Sequence, residues 1–259
     1  MPRWLRIIFT ATSFLFFFAG SPLIGLVVLP LMRLTAKDRE DHRRRCTLFV
    51  SRLLRIFSEW VRFMGLVGYP RDFALPAGLE GRPYVMIANH PSLIDMILLM
   101  GALPGLTCVT KGSWSRSVVL GPLLRQTHYL PGPGSGEEES DDMLGTMVKH
   151  VESGHPLLVF PEGTRSPVER LLRFRRGAVE TALRAKVPLV CLFVSLDRPF
   201  LMKGTPFWKV PRDRATYSFE ILDVIDPAQE TRDARTLNKA LHERYEARFS
   251  KMLAARNPS

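Results

Sequence analysis

Apolar and polar positions fall into three regimes along the chain. The first is an unbroken apolar run: Ile7 to Met32 holds no charged residue and contains Phe14-Leu15-Phe16-Phe17-Phe18. A spanning helix needs about 20 such residues, so length permits one span. Gly20-Ser21-Pro22 interrupts the run near its middle and Pro30 near its end. Those breaks favour a helical hairpin dipping into one leaflet, although kinked spans are tolerated too. The second regime, Leu48 to Leu66, has helical period. Arg52, Arg55, Glu59 and Arg62 form one stripe, and Leu53, Ile56, Phe57, Trp60, Phe63 and Met64 cover the rest. Such a helix suits either packing on a folded domain or lying on a bilayer surface. Gly65 to Gly81 is a Gly/Pro-rich connection.

In the third regime short apolar runs alternate with helical patterns. Strands are expected at 84–88, 106–110, 128–130, 156–160, 187–195 and 217–225. Helices are expected after Pro91, in part over 113–126, and at 142–153, 178–186 and 232–255. Residues 131–142 read as a polar surface connection into a helix. The alternation predicts an α/β fold: a single domain with a mixed, largely parallel sheet flanked by helices, plus an N-terminal helical membrane anchor. The expected division is an anchor over 1–35, an amphipathic helix and connection over 36–82, and the α/β domain over 83–259.

Charge sharpens this picture. The formal net charge is +11, which implies an anionic partner. Between Arg33 and Arg62 nine Arg or Lys stand against four Asp or Glu. A basic excess beside an apolar anchor points to lipid and marks the cytoplasmic side, with no nucleic acid expected. Arg3 and Arg6 precede the anchor, which suits a hairpin with both ends on one side. Cys46, Cys108 and Cys191 lie far apart in apolar contexts and read as buried thiols of a reducing compartment. The histidines show no zinc-ligand spacing: His150 and His155 have no cysteine or further histidine nearby in sequence, and no metal is expected.

Chemistry concentrates in two stretches. In Asn89-His90-Pro91-Ser92-Leu93-Ile94-Asp95, Pro91 keeps His90 out of helical geometry, on a strand-to-helix turn. Asp95, in the first helical turn, can then fold back under the imidazole. A carboxylate on Nδ1–H leaves Nε2 free to accept a proton from a hydroxyl. The same residues fit a capping box in which Asp95 bonds only backbone. The second stretch, Phe160-Pro161-Glu162-Gly163-Thr164-Arg165-Ser166, follows another apolar strand. Gly163 allows close backbone approach to a ligand, and Arg165 offers a planar two-pronged contact to phosphate.

Together, the stretches NHPSLID and FPEGTRS resemble the glycerolipid acyltransferase family, over roughly Pro83 to Ser195. Arg173-Phe174-Arg175-Arg176-Gly177 resembles the Lys-x-Phe-Lys-Lys-Gly run of relatives, and Val187 to Val190 their fourth block. Two departures stand out. Cys191 occupies a position where proline is common, and Gln126-Thr127-His128-Tyr129 stands where relatives tend to close a block with arginine.

The resemblance implies acyl transfer from a thioester, acyl carrier protein or coenzyme A, to the hydroxyl of a lysophospholipid such as 1-acyl-glycerol-3-phosphate. His90 and Asp95 would be catalytic. Glu162, Gly163, Thr164 and Arg165 would bind the acceptor, with Lys111 a further candidate. No cofactor beyond the thioester co-substrate and no acyl-enzyme are implied. The expected location is a bacterial inner membrane, catalytic domain on the cytoplasmic face. Thr110 to Arg116, Leu120 to Leu123 and Leu201 to Trp208 resemble acyltransferases associated with aryl-polyene pathways, which makes an unusual acceptor or acyl chain the alternative. A non-enzymatic reading is a basic membrane-bound interaction protein.

Overall fold

Alternating side chains on the central strands sort into two cores, one on each face of a seven-stranded sheet. Met86, Ala88, Val190, Leu192 and Val194 belong to one, and Val85, Ile87, Leu189, Cys191 and Phe193 to the other. Near-continuous apolar runs are what a parallel strand buried on both faces requires. The structure is a computed structural model describing residues 1–132 and 140–256, without the side chains of 140–142. Most of the polar connection expected at 131–142 lies outside the described residues.

In chain order, α1 (Arg3–Leu23) continues through a π-helical turn (Ile24–Val28), α2 (Leu29–Met32) and a 3-10 turn (Arg33–Thr35) before α3 (Arg39–Phe63). There follow β1 (Val67–Gly68), β2 (Val85–Ala88), α4 (Asp95–Ala102), β3 (Thr107–Thr110), the short α5 (Gly112–Ser115) and α6 (Gly121–Leu124), and β4 (Leu130–Pro131). Then come α7 (Ser140–Glu152), β5 (Leu157–Val159), α8 (Gly177–Ala185), β6 (Leu189–Leu196), β7 (Ala215–Ile225) and α9 (Ala234–Arg256). The sheet order is β1-β7-β6-β2-β5-β3-β4. Only the β6–β7 pair is antiparallel among the described strands. This is the mixed, largely parallel α/β fold that the alternation of strands and helices predicts. Helix α9 is pinned to the sheet by the buried Tyr245 hydroxyl, which lies 3.1 Å from the Ile87 carbonyl and 3.0 Å from that of Leu192.

The hairpin expected at Gly20-Ser21-Pro22 does not form. Residues Arg3 to Thr35 make one helical run of 33 residues with mean hydropathy 2.2 in its most apolar part, long and apolar enough to cross a membrane. Pro22 lacks an N–H and would break a strict ladder; the adjacent π-turn absorbs the mismatch. Gly25, within that turn, is needed for packing, since a Cβ there would lie 2.6 Å from the Leu123 nitrogen. The chain reverses instead at residues 36–38, where the Asp38 side chain caps α3 by accepting from the Asp41 N–H. The two helices run antiparallel and are stitched along their length. Arg6 donates to the carbonyls of Gly65 and Leu66, Trp60 Nε1–H to Ser13, and the His42 ring to the Leu29 carbonyl.

The amphipathy of α1 is inverted relative to a surface helix of a soluble protein. Its buried residues are Arg6, Thr10, Ser13 and Ser21, while Trp4, Ile8, Leu15, Phe16 and Leu23 are exposed. Buried hydroxyls close onto backbone carbonyls within the helix, as Thr10 does onto Arg6 and Ser21 onto Phe17. Arg6 is therefore a packing residue and not a flanking surface charge. Helix α3 packs on the folded domain, one of its two expected roles. It buries Cys46, Val50, Ser58 and Val61, and lends Ile56 and Phe63 to the exposed apolar face. It crosses α4 so closely that a Cβ on Gly101 would lie 2.9 Å from the Arg55 nitrogen.

This apolar face is consistent with membrane association. Phe16 is 61 % exposed and Phe63 83 %. Removing an aromatic side chain from water is worth about 1.5–3 kcal/mol, and each 1.4 kcal/mol is about tenfold. Phe16→Asp and Phe63→Asp should each weaken binding to phospholipid vesicles about tenfold or more in flotation assays. Neither should lower the melting temperature much, because both side chains lie largely outside the core.

Candidate active site

Strands β3, β5, β2 and β6 are parallel to one another, so their carboxyl ends share one edge of the sheet. Ligands of open α/β sheets sit outside that edge. Lys111 follows β3, Phe160 to Arg165 follow β5, Asn89 and His90 follow β2, and Phe200 and Leu201 lie beyond β6. Every site residue expected from sequence is thus at one edge, though not all point at one place.

Asn89 fixes the start of the turn. Its side chain donates to the Val194 carbonyl and accepts from the Val194 N–H, both at 2.8 Å, tying the end of β2 to β6. His90 Nδ1 lies 3.0 Å from Asp95 Oδ2, and the same oxygen accepts the Ser92 N–H at 2.7 Å. Both meanings of the spacing are realised on one atom. The full capping box does not form, because Ser92 sends its hydroxyl to the Phe200 carbonyl instead. A carboxylate only accepts, so the His90 proton sits on Nδ1 and the Nε2 lone pair is free. Phe160 stacks on the imidazole with ring centroids 4.0 Å apart, holding its plane.

Asp95 is completely buried. Burial raises its carboxyl above the usual range, and His90 followed by the Ser92 N–H pulls it partly back. The buried Tyr217 brings its hydroxyl beside Asp95, near enough to interact electrostatically, without an aligned hydrogen bond to Oδ1. The same burial, reinforced by Asp95, pushes the phenol well above its ordinary pKa.

Glu162, expected at the acceptor, is placed differently. It is buried; Oε1 accepts the His90 N–H at 3.2 Å and the Ser166 hydroxyl at 2.6 Å, and Oε2 accepts the Leu172 N–H at 2.8 Å. The Ser166 N–H returns to the His90 carbonyl at 2.7 Å. Glu162 therefore clamps two loops, with both of its oxygens engaged by these donors. Gly163 sits at φ 70°, with the Arg175 guanidinium 3.3 Å from where a Cβ would be. Thr164 is half-buried in the same loop. Arg165 donates one N–H to the Leu201 carbonyl at 3.0 Å, which leaves most of its five donors for a ligand. Lys111 is exposed, one strand further along the edge.

Sequence reasoning missed Asn89, Tyr217 and the Phe200–Leu201 wall. Leu201 takes φ 50°, a left-handed conformation with no sequence signature in leucine. Tyr217 reads only as an apolar strand position.

The pairing of His90 with Asp95 beside a clamped basic loop now meets its relatives. Residues 71–195 match the Acyltransferase family. The chain is 38 % identical over 124 residues to the 1-acyl-sn-glycerol-3-phosphate acyltransferase of Saccharomyces cerevisiae, covering 45 % of this chain and 40 % of that protein. It is 31 % identical over 128 residues to 1-acyl-sn-glycerol-3-phosphate acyltransferase alpha of Homo sapiens, covering 47 % and 44 % of the two chains. The chain thus spans less than half the length of these curated relatives. In fold it matches the crystal structure of the 1-acyl-sn-glycerophosphate acyltransferase from Thermotoga maritima, with a TM-score of 0.71 at 19 % identity, covering 97 % of this chain and 98 % of that one.

A raised folded-state pKa for Asp95 has a stability consequence. Its carboxyl is neutral in both states below the ordinary carboxylate pKa, so burial costs least there. As pH rises through the higher folded value, the buried charge becomes a cost. Asp95→Asn, which keeps shape and removes that charge, should melt no lower than the parent at neutral pH. Its advantage should shrink as pH falls toward the ordinary carboxylate value, as read by thermal unfolding across pH.

Proposed function

We propose that the chain is an O-acyltransferase moving a fatty acyl group from an acyl thioester to the free hydroxyl of a lysophospholipid such as 1-acyl-glycerol-3-phosphate, in phospholipid biosynthesis. The observation carrying this reading is the 3.0 Å contact between His90 Nδ1 and the buried Asp95, which leaves Nε2 as a general base at the strand edge. The matched relatives, whose names state this activity, support it.

In the proposed reaction Nε2 takes the hydroxyl proton as the acceptor oxygen attacks the thioester carbonyl. Asp95 stabilises the imidazolium that results. The tetrahedral adduct collapses, the carbon–sulfur bond breaks, and the imidazolium returns its proton to the departing thiolate. A thioester is already activated, so attack can be direct. Arg165, with Arg175 held over Gly163, supplies positive charge for an anionic head group. The exposed side of α1 and α3 would lie in one leaflet, keeping the site at the height of the head groups. The first helical run is bonded to α3 at Leu29, to the chain after α3 at Arg6 and to Gln126 at Gly25, so α1 would not cross alone. The basic residues between Arg33 and Arg55 would face anionic lipid on the cytoplasmic side of a bacterial inner membrane. Acyl carrier protein and coenzyme A thioesters are both donors to test.

The deciding experiment is transfer of labelled acyl groups from both donors to a panel of lysolipids. His90→Ala should lower turnover by about 10²–10⁴ with its melting temperature retained, because loss of a general base typically costs that much. Near-normal turnover would overturn the assignment.

Arg165→Ala should raise KM for a phosphate-bearing acceptor more than for an uncharged one. Arg165→Lys should rescue only in part, since lysine lacks the planar fork. An equal loss for charged and neutral acceptors would assign Arg165 to its Leu201 contact. It would then favour a different acceptor, as the resemblance of the Leu201 to Trp208 stretch to aryl-polyene enzymes suggests.

A further inference from the structure

Three histidines that have no ligand spacing in sequence converge in space. His128 precedes β4, His150 lies in the last turns of α7, and His155 precedes β5. The His128 and His155 rings stack with centroids 3.8 Å apart, and the His150 ring is 5.1 Å from that of His155. The cluster stands at the amino ends of parallel strands whose carboxyl ends carry the His90 edge. It belongs to neither the catalytic pair nor the basic loop.

We propose that Glu40, His128 and His155 form a divalent-cation site that takes Zn²⁺, joining the first turn of α3 to the loops before β4 and β5.

The ligand atoms are already gathered. Glu40 Oε1 lies 3.2 Å from His128 Nε2 and 3.2 Å from His155 Nε2, and all three atoms fall within 4.8 Å of one another. Ligands about 2.0–2.1 Å from a tetrahedral zinc ion are about 3.3 Å apart, so two of the three edges have the right length. The third, between the two Nε2 atoms, is within 4.8 Å and closes by a turn of the His155 ring, while Glu40, whose side chain is 63 % exposed, opens the site to solvent.

A second observation points the same way. His128 is 5 % exposed, and its buried Nε2 makes no aligned hydrogen bond although the Glu40 carboxylate oxygen stands 3.2 Å away. A buried polar atom without an aligned bond is costly, and a cation would satisfy it. The ring is held in place independently, since the His128 N–H bonds Thr47 Oγ1 and the imidazole stacks on His155.

His150 has another role. The Thr107 hydroxyl donates to the Pro156 carbonyl and so accepts from His150 Nε2–H at 2.8 Å. That ring walls the site and does not ligate. Two imidazole nitrogens and one carboxylate oxygen are a common donor set for zinc, with water completing the shell. Arg43 is the opposing charge nearby, its guanidinium occupied by the Thr127 carbonyl.

The test uses the untagged full chain in detergent, stripped with chelator and titrated with Zn²⁺ alone and with Co²⁺ alone. One Zn²⁺ per chain should bind, Co²⁺ should give the visible absorption of a low-coordinate nitrogen–oxygen site, and Zn²⁺ should raise the melting temperature. Glu40→Gln and His155→Gln, both reachable from solvent, should each weaken Zn²⁺ binding at least about tenfold and abolish the thermal shift, with metal-free melting kept. His90→Ala should bind Zn²⁺ as the parent does. Absence of 1:1 binding, or binding that survives both substitutions, overturns the proposal.

Discussion

The buried carboxylate of Glu162 is the constraint on which the site depends. Three donors converge on it, from the His90 backbone, the Ser166 side chain and the Leu172 backbone. A buried charge is tolerable only when its lone pairs are filled, and these come from two loops distant in sequence. Filling them fixes the height of the His90 turn against the loop that carries Gly163 and Arg165. The return bond from the Ser166 N–H to the His90 carbonyl makes the clamp two-sided. Base and basic loop thus share one rigid reference, as a reaction joining a hydroxyl to a positioned head group requires.

Asp95 shows a different compromise. Its burial raises the carboxyl pKa, which works against ionisation, while His90 and the Ser92 N–H oppose the rise. A solvated aspartate would avoid that cost, but water would compete for the imidazole and loosen its orientation. The site accepts local destabilisation in exchange for a fixed ring, a common trade at sites held away from their stability optimum.

Much of the fold was legible because the apolar runs of β2, β5 and β6 are short, continuous and spaced by helical patterns. The pairing of His90 with Asp95 was legible because Pro91 fixes the geometry of its turn locally. What failed to show was non-local. Gly20-Ser21-Pro22 looks like a hairpin turn, yet a π-turn absorbs Pro22, and Gly25 serves the approach of α6. The Glu162 side chain reads as a ligand in its motif, and only the positions of Ser166 and Leu172 reveal a clamp. His128 and His155 are 27 residues apart, with α7 between them. Their stacking depends on β4 and β5 starting at the same end of the sheet, which spacing along the chain does not encode.

The inverted amphipathy of α1 links the anchor to the site. A helix that buries Ser and Thr while exposing Phe and Leu is unfavourable in water, so its outer face calls for lipid. Its helical run is bonded to the α3 segment at Arg6, Ser13 and Leu29, and to Gln126 beside α6 at Gly25. Lipid contact would therefore fix the orientation of the whole sheet and not of a tethered helix alone. The segment after β6 continues the connection. Phe200 and Leu201 hold Ser92 and Arg165 through their carbonyls, and Phe207, a few residues on, packs against Phe14 of α1. One stretch of chain thus touches the catalytic turn, the basic loop and the anchor. An acceptor held by its acyl chain in the bilayer would meet that stretch before reaching Nε2, with only its head group needing to leave the lipid surface.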